Sequence, residues 1–317
     1  MEYLILILSL AGIVLGADFL VKGAVVVARK CKVSSFVIGA VIVGIGTSLP
    51  ELVVSTVGAI GGNSEVAIGN VVGSNIFNVF AILGLTALFF PIVVSRENMK
   101  FEIPFCIAVS VLLMLLVYNF FVVGEPRLGR WDGAALLLVF TAFMWISLRR
   151  GKNSAAAVGE SVEEENKSLW FAAFSILGGL AALIVSSNFF VDEAVAIARK
   201  LGVSDAFISI TLLACGTSLP ELAASVTAAL KKDTDMALGN IIGSNIFNAT
   251  MILGTASLIT PLTTGKIGLV DYGAMILAAV LPMIFGIRGK ITRFEGLLML
   301  LCYAAYTWYI VTYVMAV

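Results

Sequence analysis

The heptapeptide GTSLPEL occurs twice in the chain, at Gly46–Leu52 and Gly216–Leu222, each time inside a long apolar stretch. A second string follows each copy at the same distance, GNVVGSNIFN at Gly69–Asn78 and GNIIGSNIFN at Gly239–Asn248. Gly216 lies 170 residues after Gly46, as Gly239 does after Gly69, and 18 of the 33 positions from Gly46 to Asn78 are identical in the second copy. The chain is an internal duplication. Each copy sets one carboxylate, Glu51 or Glu221, deep in hydrophobic sequence, where an ionisable group is costly and marks function by default.

Composition fixes the class of protein. Hydrophobic residues make up 60% of the chain and charged residues 13%, against roughly 25% charged in soluble domains, and the mean hydropathy is +1.06. Such a chain is a polytopic membrane protein, with the lipid bilayer as its surroundings. A formal net charge of zero argues against nucleic acid as a partner, and no obligate protein partner is evident. The four cysteines are scattered, without a disulfide framework or metal-binding spacing. Histidine is absent, which removes the commonest transition-metal ligand and any HExxH protease site. Covalent catalysis by Ser48 or Ser218 lacks an evident base, so the chain is not read as an enzyme. The apolar segment after Met1 reads as a retained first span rather than a cleaved leader.

A span needs about 20 mainly apolar residues. Reading between polar breaks predicts ten, beginning near residues 2, 34, 66, 103, 131, 169, 206, 236, 269 and 295. The expected layout is a first five-helix repeat over 1–148, a cytoplasmic linker over 149–168 and a second repeat over 169–317. Five is odd, so the second repeat enters the membrane inverted, and a pseudo-two-fold axis in the membrane plane relates the halves, as in many secondary transporters. Arg127, Arg130, Arg199, Lys200 and Lys266 fall on the amino-terminal side and Lys22 within the first span, and the remaining 14 of the 20 Lys and Arg fall on the opposite side. The positive-inside rule makes that opposite side cytoplasmic and puts both termini outside.

Pro50 and Pro220 interrupt helices at membrane depth. Proline lacks the amide donor and clashes with the carbonyl four residues earlier, here Gly46 and Gly216, so carbonyls around Gly46–Thr47 and Gly216–Thr217 become available. Residues four apart share a helix face, which aligns Thr47 with Glu51, Thr217 with Glu221, Ser74 with Asn78 and Ser244 with Asn248. Carboxylate, carbonyl, hydroxyl and amide oxygens are the ligands that hard cations take, calcium wanting six to eight. Two ionised glutamates carry −2, neutralised by one Ca2+ or by two Na+; a third Na+ would leave the loaded site at +1. The repeated glycines and serines also suit close helix packing, and the hydroxyls of Thr47, Ser48, Thr217 and Ser218 could merely bond their own helix carbonyls, a reading weakened because each sits beside a proline and a buried glutamate, in duplicate.

The paired motifs, GTSLPE followed by GNxxGSNIFN in both halves, resemble the two alpha repeats of the sodium/calcium exchanger family. The resemblance implies an all-α polytopic membrane protein of ten transmembrane helices, built as two inverted five-helix repeats with broken helices at the ion site. It implies a Na+/Ca2+ antiporter without cofactors, whose substrates are the transported Ca2+ and Na+. Carried over residue by residue, Glu51 and Glu221 would hold Ca2+ with the carbonyls of Thr47 and Thr217. Na+ would use the same glutamates with Ser48, Ser74, Ser218 and Ser244 and the carbonyls of Gly44 and Ala214, and Asn78 and Asn248 would complete the centre. In the family, spans one and six move as a gating pair. Asn248 is a departure, since several relatives carry aspartate there, and the amide disfavours K+ co-transport. A H+/Ca2+ antiporter on the same scaffold is the nearest alternative, with a cation channel behind it. The absence of regulatory domains and targeting extensions leads us to expect a prokaryotic inner membrane.

Overall fold

The first helix, α1, runs unbroken from Glu2 to Lys30 and packs along α9 (Leu169–Lys200). Small residues set their separation. A β-carbon on Gly16 would lie 2.9 Å from the Gly179 carbonyl oxygen, one on Gly179 2.6 Å from Leu20 N, and one on Gly23 2.8 Å from Ala172 O. Contacts run down α1 as they run up α9, so the two helices are antiparallel, and the Lys200 Nζ–Glu2 Oε1 ion pair at 2.6 Å joins their ends. Much of each helix's remaining surface is exposed leucine, isoleucine, valine and phenylalanine, as expected of a face turned to lipid.

The computed structural model describes residues 2–119, 126–153, 167–201 and 214–314. Among them, eight helical runs are long and apolar enough to cross a membrane. A ninth span is broken: Ser35–Thr47 and Leu49–Ile60 meet at an angle of 47°. The expected span near residue 206 begins outside the described residues, and its described part is the short helix Ala214–Gly216 followed by Leu219–Leu230. Helix α8 extends from Arg130 to Asn153, and the next described helix begins at Leu169.

The duplicated strings fold alike. In the first half, α4 (Leu49–Ile60) leads to α5 (Ser64–Phe77), a π-helical turn at Asn78–Leu83 and α6 (Gly84–Phe89). In the second, Leu219–Leu230 leads to Thr234–Phe247, a π-helical turn at Asn248–Ile252 and a helix over Leu253–Ile259. These segments form the buried core, in which helix Thr234–Phe247 is enclosed on all sides. A β-carbon on Gly239 would meet the carbonyl oxygen of Phe36, and one on Gly243 the backbone of Ala40, so these two glycines do allow the close packing their size suggested.

Among the described residues, four two-residue strands, which periodicity in the sequence does not announce, stitch the halves together. Ile92–Val93 pairs antiparallel with Lys290–Ile291, and Arg127–Leu128 with Leu262–Thr263. The first ribbon lies among Arg96, Arg288, Lys290 and Arg293, the second among Arg127, Arg130 and Lys266. Each ribbon thus gathers cations that the sequence count assigned to one side.

Asp18 and Lys22 form the pair that their spacing predicts, Nζ to Oδ2 2.6 Å. Lys231, at the end of helix Leu219–Leu230, joins them at 2.8 Å from Asp18 Oδ1, so the cluster ties α1 to a core helix.

Candidate functional site

Both GTSLPE strings break their helix at the serine. Ser48 adopts φ −84°, ψ 9° and Ser218 φ −91°, ψ 8°, in the sparsely populated bridge region rather than the helical one. A new helix starts immediately afterwards with Pro50 or Pro220 in its first turn, where the missing amide costs nothing. Glu51 and Glu221 therefore fall in the first turn of a helix, where the unsatisfied amides and the dipole favour negative charge. The sequence breaks the helix and in the same stroke places a carboxylate at the break.

The two breaks face each other. Ser48 Oγ donates to Glu221 Oε1 at 2.7 Å, and Ser218 Oγ donates to Glu51 Oε1 at 2.9 Å. Each half thus holds the other's carboxylate. Glu51 is 1% and Glu221 0% exposed, and the second oxygen of each, Oε2, has no protein hydrogen-bond partner.

The remaining candidates surround this exchange of bonds. Thr47 is fully buried; its hydroxyl lies 3.0 Å from Val43 O, its nearest acceptor, and 3.3 Å from both Gly44 O and Asn240 Oδ1, so it bonds chiefly its own helix and also reaches the second repeat. The Gly44 carbonyl also accepts from Ser244 Oγ at 3.2 Å. Asn78 Nδ2 donates to Asn245 Oδ1 at 3.0 Å. Ser74 Oγ, Thr217 Oγ1, Asn78 Oδ1 and both side-chain polar atoms of Asn248 are buried without a partner. Ala214 opens the helix Ala214–Gly216. Direct bonds therefore join Ser218 to Glu51 and Ser48 to Glu221 as two reciprocal pairs and both Thr47 and Ser244 to the Gly44 carbonyl, with Asn240 bridging Thr47 and the Glu221 backbone, while Ser74, Thr217 and Asn248 belong by burial and position rather than by a bond.

Buried side-chain polar atoms are almost always paired. Here Glu51 Oε2, Glu221 Oε2, Ser74 Oγ, Thr217 Oγ1, Asn78 Oδ1 and Asn248 Oδ1 are all free. They are all oxygens on the duplicated motifs, and only two belong to carboxyl groups. No group of three or more His, Cys, Asp or Glu suited to a metal occurs among the described residues. An oxygen set with few carboxylates suits a hard cation that must also leave, not a permanently held soft metal.

Four asparagines of the repeated strings matter more than their sequence suggested. Asn240 Nδ2 donates to Glu221 O at 3.1 Å and Ser225 Oγ at 2.8 Å, and Asn70 Nδ2 donates to Glu51 O at 3.3 Å and Ser55 Oγ at 3.0 Å. Each anchors the backbone of the glutamate in its own half. Asn75 and Asn245 exchange amide-to-carbonyl bonds across the halves, at 3.0 and 3.1 Å. The signal was present in the repeated GN and GSN strings, but small-residue packing masked it. The π-helical turns beginning at Asn78 and Asn248 were not legible at all; such turns occur often at functional sites.

A family described as Sodium/calcium exchanger protein matches residues 1–149 and 171–312. The chain is 35% identical to the sodium/calcium exchanger MaX1 of Methanosarcina acetivorans, covering 96% of this chain and 97% of the relative. It is 34% identical to the inner membrane protein YrbG of Escherichia coli (strain K12), covering 87% and 86%. A solved structure of the sodium-calcium exchanger NCX_Mj superposes with a TM-score of 0.83 at 32% identity, over 98% of each chain. The protein is an integral, multi-pass transporter and not an enzyme, and it belongs to the sodium/calcium exchanger family of cation/Ca2+ antiporters.

Proposed function

We propose that the chain exchanges Na+ for Ca2+ by alternating access, with one shared site between Glu51 and Glu221. The reciprocal Ser48–Glu221 and Ser218–Glu51 bonds carry this reading, because they aim both carboxylates at one centre. Ca2+ takes Glu51 and Glu221 with the carbonyls of Thr47 and Thr217. Na+ takes the same carboxylates with Ser48, Ser74, Ser218 and Ser244 and the carbonyls of Gly44 and Ala214, while Asn78 and Asn248 close the centre. Either one Ca2+ or two Na+ neutralise the two glutamates. The ions compete for the same charge, so the gradient of one drives the other.

In this reading the halves are residues 1–148 and 169–317, inverted about a linker at 149–168, and the antiparallel pair α1 and α9 rocks against the core. The termini lie outside a prokaryotic inner membrane, a placement supported by the cation bias between the two ends.

A second reading has one supporting observation. Glu51 Oε2 and Glu221 Oε2, both unpartnered, offer places for protons, and proton/Ca2+ antiport would use the same scaffold. Proteoliposomes loaded with Na+ and diluted into Na+-free medium are expected to accumulate radiolabelled Ca2+. Uptake driven by a pH gradient without Na+, and absent under a Na+ gradient, would decide for protons.

A further inference from the structure

Ser187 of α9 is 2% exposed and its hydroxyl makes no hydrogen bond. Buried hydroxyls in apolar helices ordinarily bond back to their own turn. Here Thr86 donates to Ile82 O at 2.7 Å, Ser110 to Cys106 O at 2.9 Å and Thr250 to Ile246 O at 2.5 Å. Ser187 is an exception.

Its position on the helix says where it points. A β-carbon on Gly46 would lie 2.7 Å from Leu180 Cδ1, and one on Gly216 2.9 Å from Val191 Cγ2. Leu180 and Val191 therefore rest on the two glycines that open the GTSLPE strings. At 100° per residue, Leu180, Ser187 and Val191 fall within about 40° of one another on the helix. Ser187 lies between them, about 6 Å along the axis from Val191 and about 10 Å from Leu180. On that face Ser187 is set toward the core segments that Leu180 and Val191 touch, nearer along the axis to Val191 and so to Gly216, the residue before Thr217, whose own buried hydroxyl is also unpartnered. The residue 170 positions earlier on α1 is Ala17, fully buried, so only one of the two long helices brings an oxygen to this place.

We propose that Ser187 is a further ligand for the transported hard cation, meeting it beside Thr217 as it enters or leaves the centre. A neutral hydroxyl oxygen is a ligand for both Na+ and Ca2+. The proposal rests on the placement of the exchange centre at Glu51 and Glu221. It gives α9 a part in binding and makes the two pathways chemically unequal, since the inverted repeat does not reproduce this oxygen.

The test is Na+-driven Ca2+ uptake in proteoliposomes with Ser187→Ala, and with the matched pair Ser187→Thr and Ser187→Val, which differ by the hydroxyl alone at the same shape. Ser147→Ala removes another buried, unpartnered hydroxyl and serves as the control. Loss of one neutral ligand is expected to raise the KM for Na+ or Ca2+ about three- to tenfold in the Ala and Val variants. The Thr variant and the Ser147 control stay within about twofold. The proposal is overturned if Ala and Val leave both KM values within twofold, or if Thr and Val are equally impaired, which would mean packing. Glu51→Gln assayed alongside separates the premises, because full exchange in that variant would sink the shared centre rather than the role of Ser187.

Discussion

Replacing Glu51 by glutamine removes one of two buried charges while leaving shape and local bonding almost unchanged. Ser218 Oγ donates to Glu51 Oε1 at 2.9 Å, and the amide oxygen of glutamine accepts that bond equally well. The loss is therefore electrostatic. Two unit charges about 4 Å apart interact by about 4 kcal/mol at an effective dielectric constant of about 20. A divalent ion held by Oε2 thus loses about 8 kcal/mol and a monovalent one about 4 kcal/mol. At 1.4 kcal/mol per decade, Ca2+ affinity falls by about five to six orders of magnitude and Na+ affinity by about three. The variant is expected to lose calcium first and to keep weak Na+ binding at high salt. Equilibrium binding of radiolabelled Ca2+ and Na+ to purified protein reads both. Ca2+ affinity within tenfold of wild type, or a greater loss for Na+ than for Ca2+, would refute the electrostatic reasoning.

Other changes test the supporting structure. Asn240→Ala strips Glu221 O and Ser225 Oγ of their donor at a site 1% exposed, and a destabilisation of about 1–3 kcal/mol is expected from thermal unfolding in detergent; Asn70→Ala, at a half-buried site, is expected to cost less. Gly179→Val places carbon 2.6 Å from Leu20 N, so transport rate should collapse while radiolabelled Ca2+ still binds the purified protein; unchanged transport would show that α1 and α9 need not pack this closely. Lys231→Met breaks a partly exposed ion pair to Asp18 worth at most about 1 kcal/mol, and a large drop in unfolding temperature would mean that the cluster contributes more than screened charge.

The meeting of the two glutamates was legible because the feature that marks them repeats. A carboxylate beside a proline in apolar sequence, copied 170 residues later, has few readings, and Glu51 and Glu221 do face one another through Ser218 and Ser48. What joins them was not legible. The bond from Ser48 crosses to Glu221, 173 residues away, and depends on how the halves dock rather than on any local pattern. Thr47 and Glu51, expected on one helix face from their spacing, lie on separate helices either side of the break at Ser48, and the Thr47 hydroxyl returns to Val43 O, because a helical hydroxyl near its own carbonyls seldom leaves them. The roles of Asn70 and Asn240 were hidden by their glycine neighbours. The π-helical turns and the two-residue ribbons at Ile92–Val93 and Leu262–Thr263 arise from tertiary packing, which overrides propensity at this scale.

Anomalous diffraction from crystals soaked in Ca2+ locates the ion directly. The account predicts a peak between the halves, within about 2.3–2.6 Å of Glu51 Oε2 and Glu221 Oε2 together, and its loss in Glu221→Gln. A peak bound to one glutamate alone, or to neither, would contradict a shared centre.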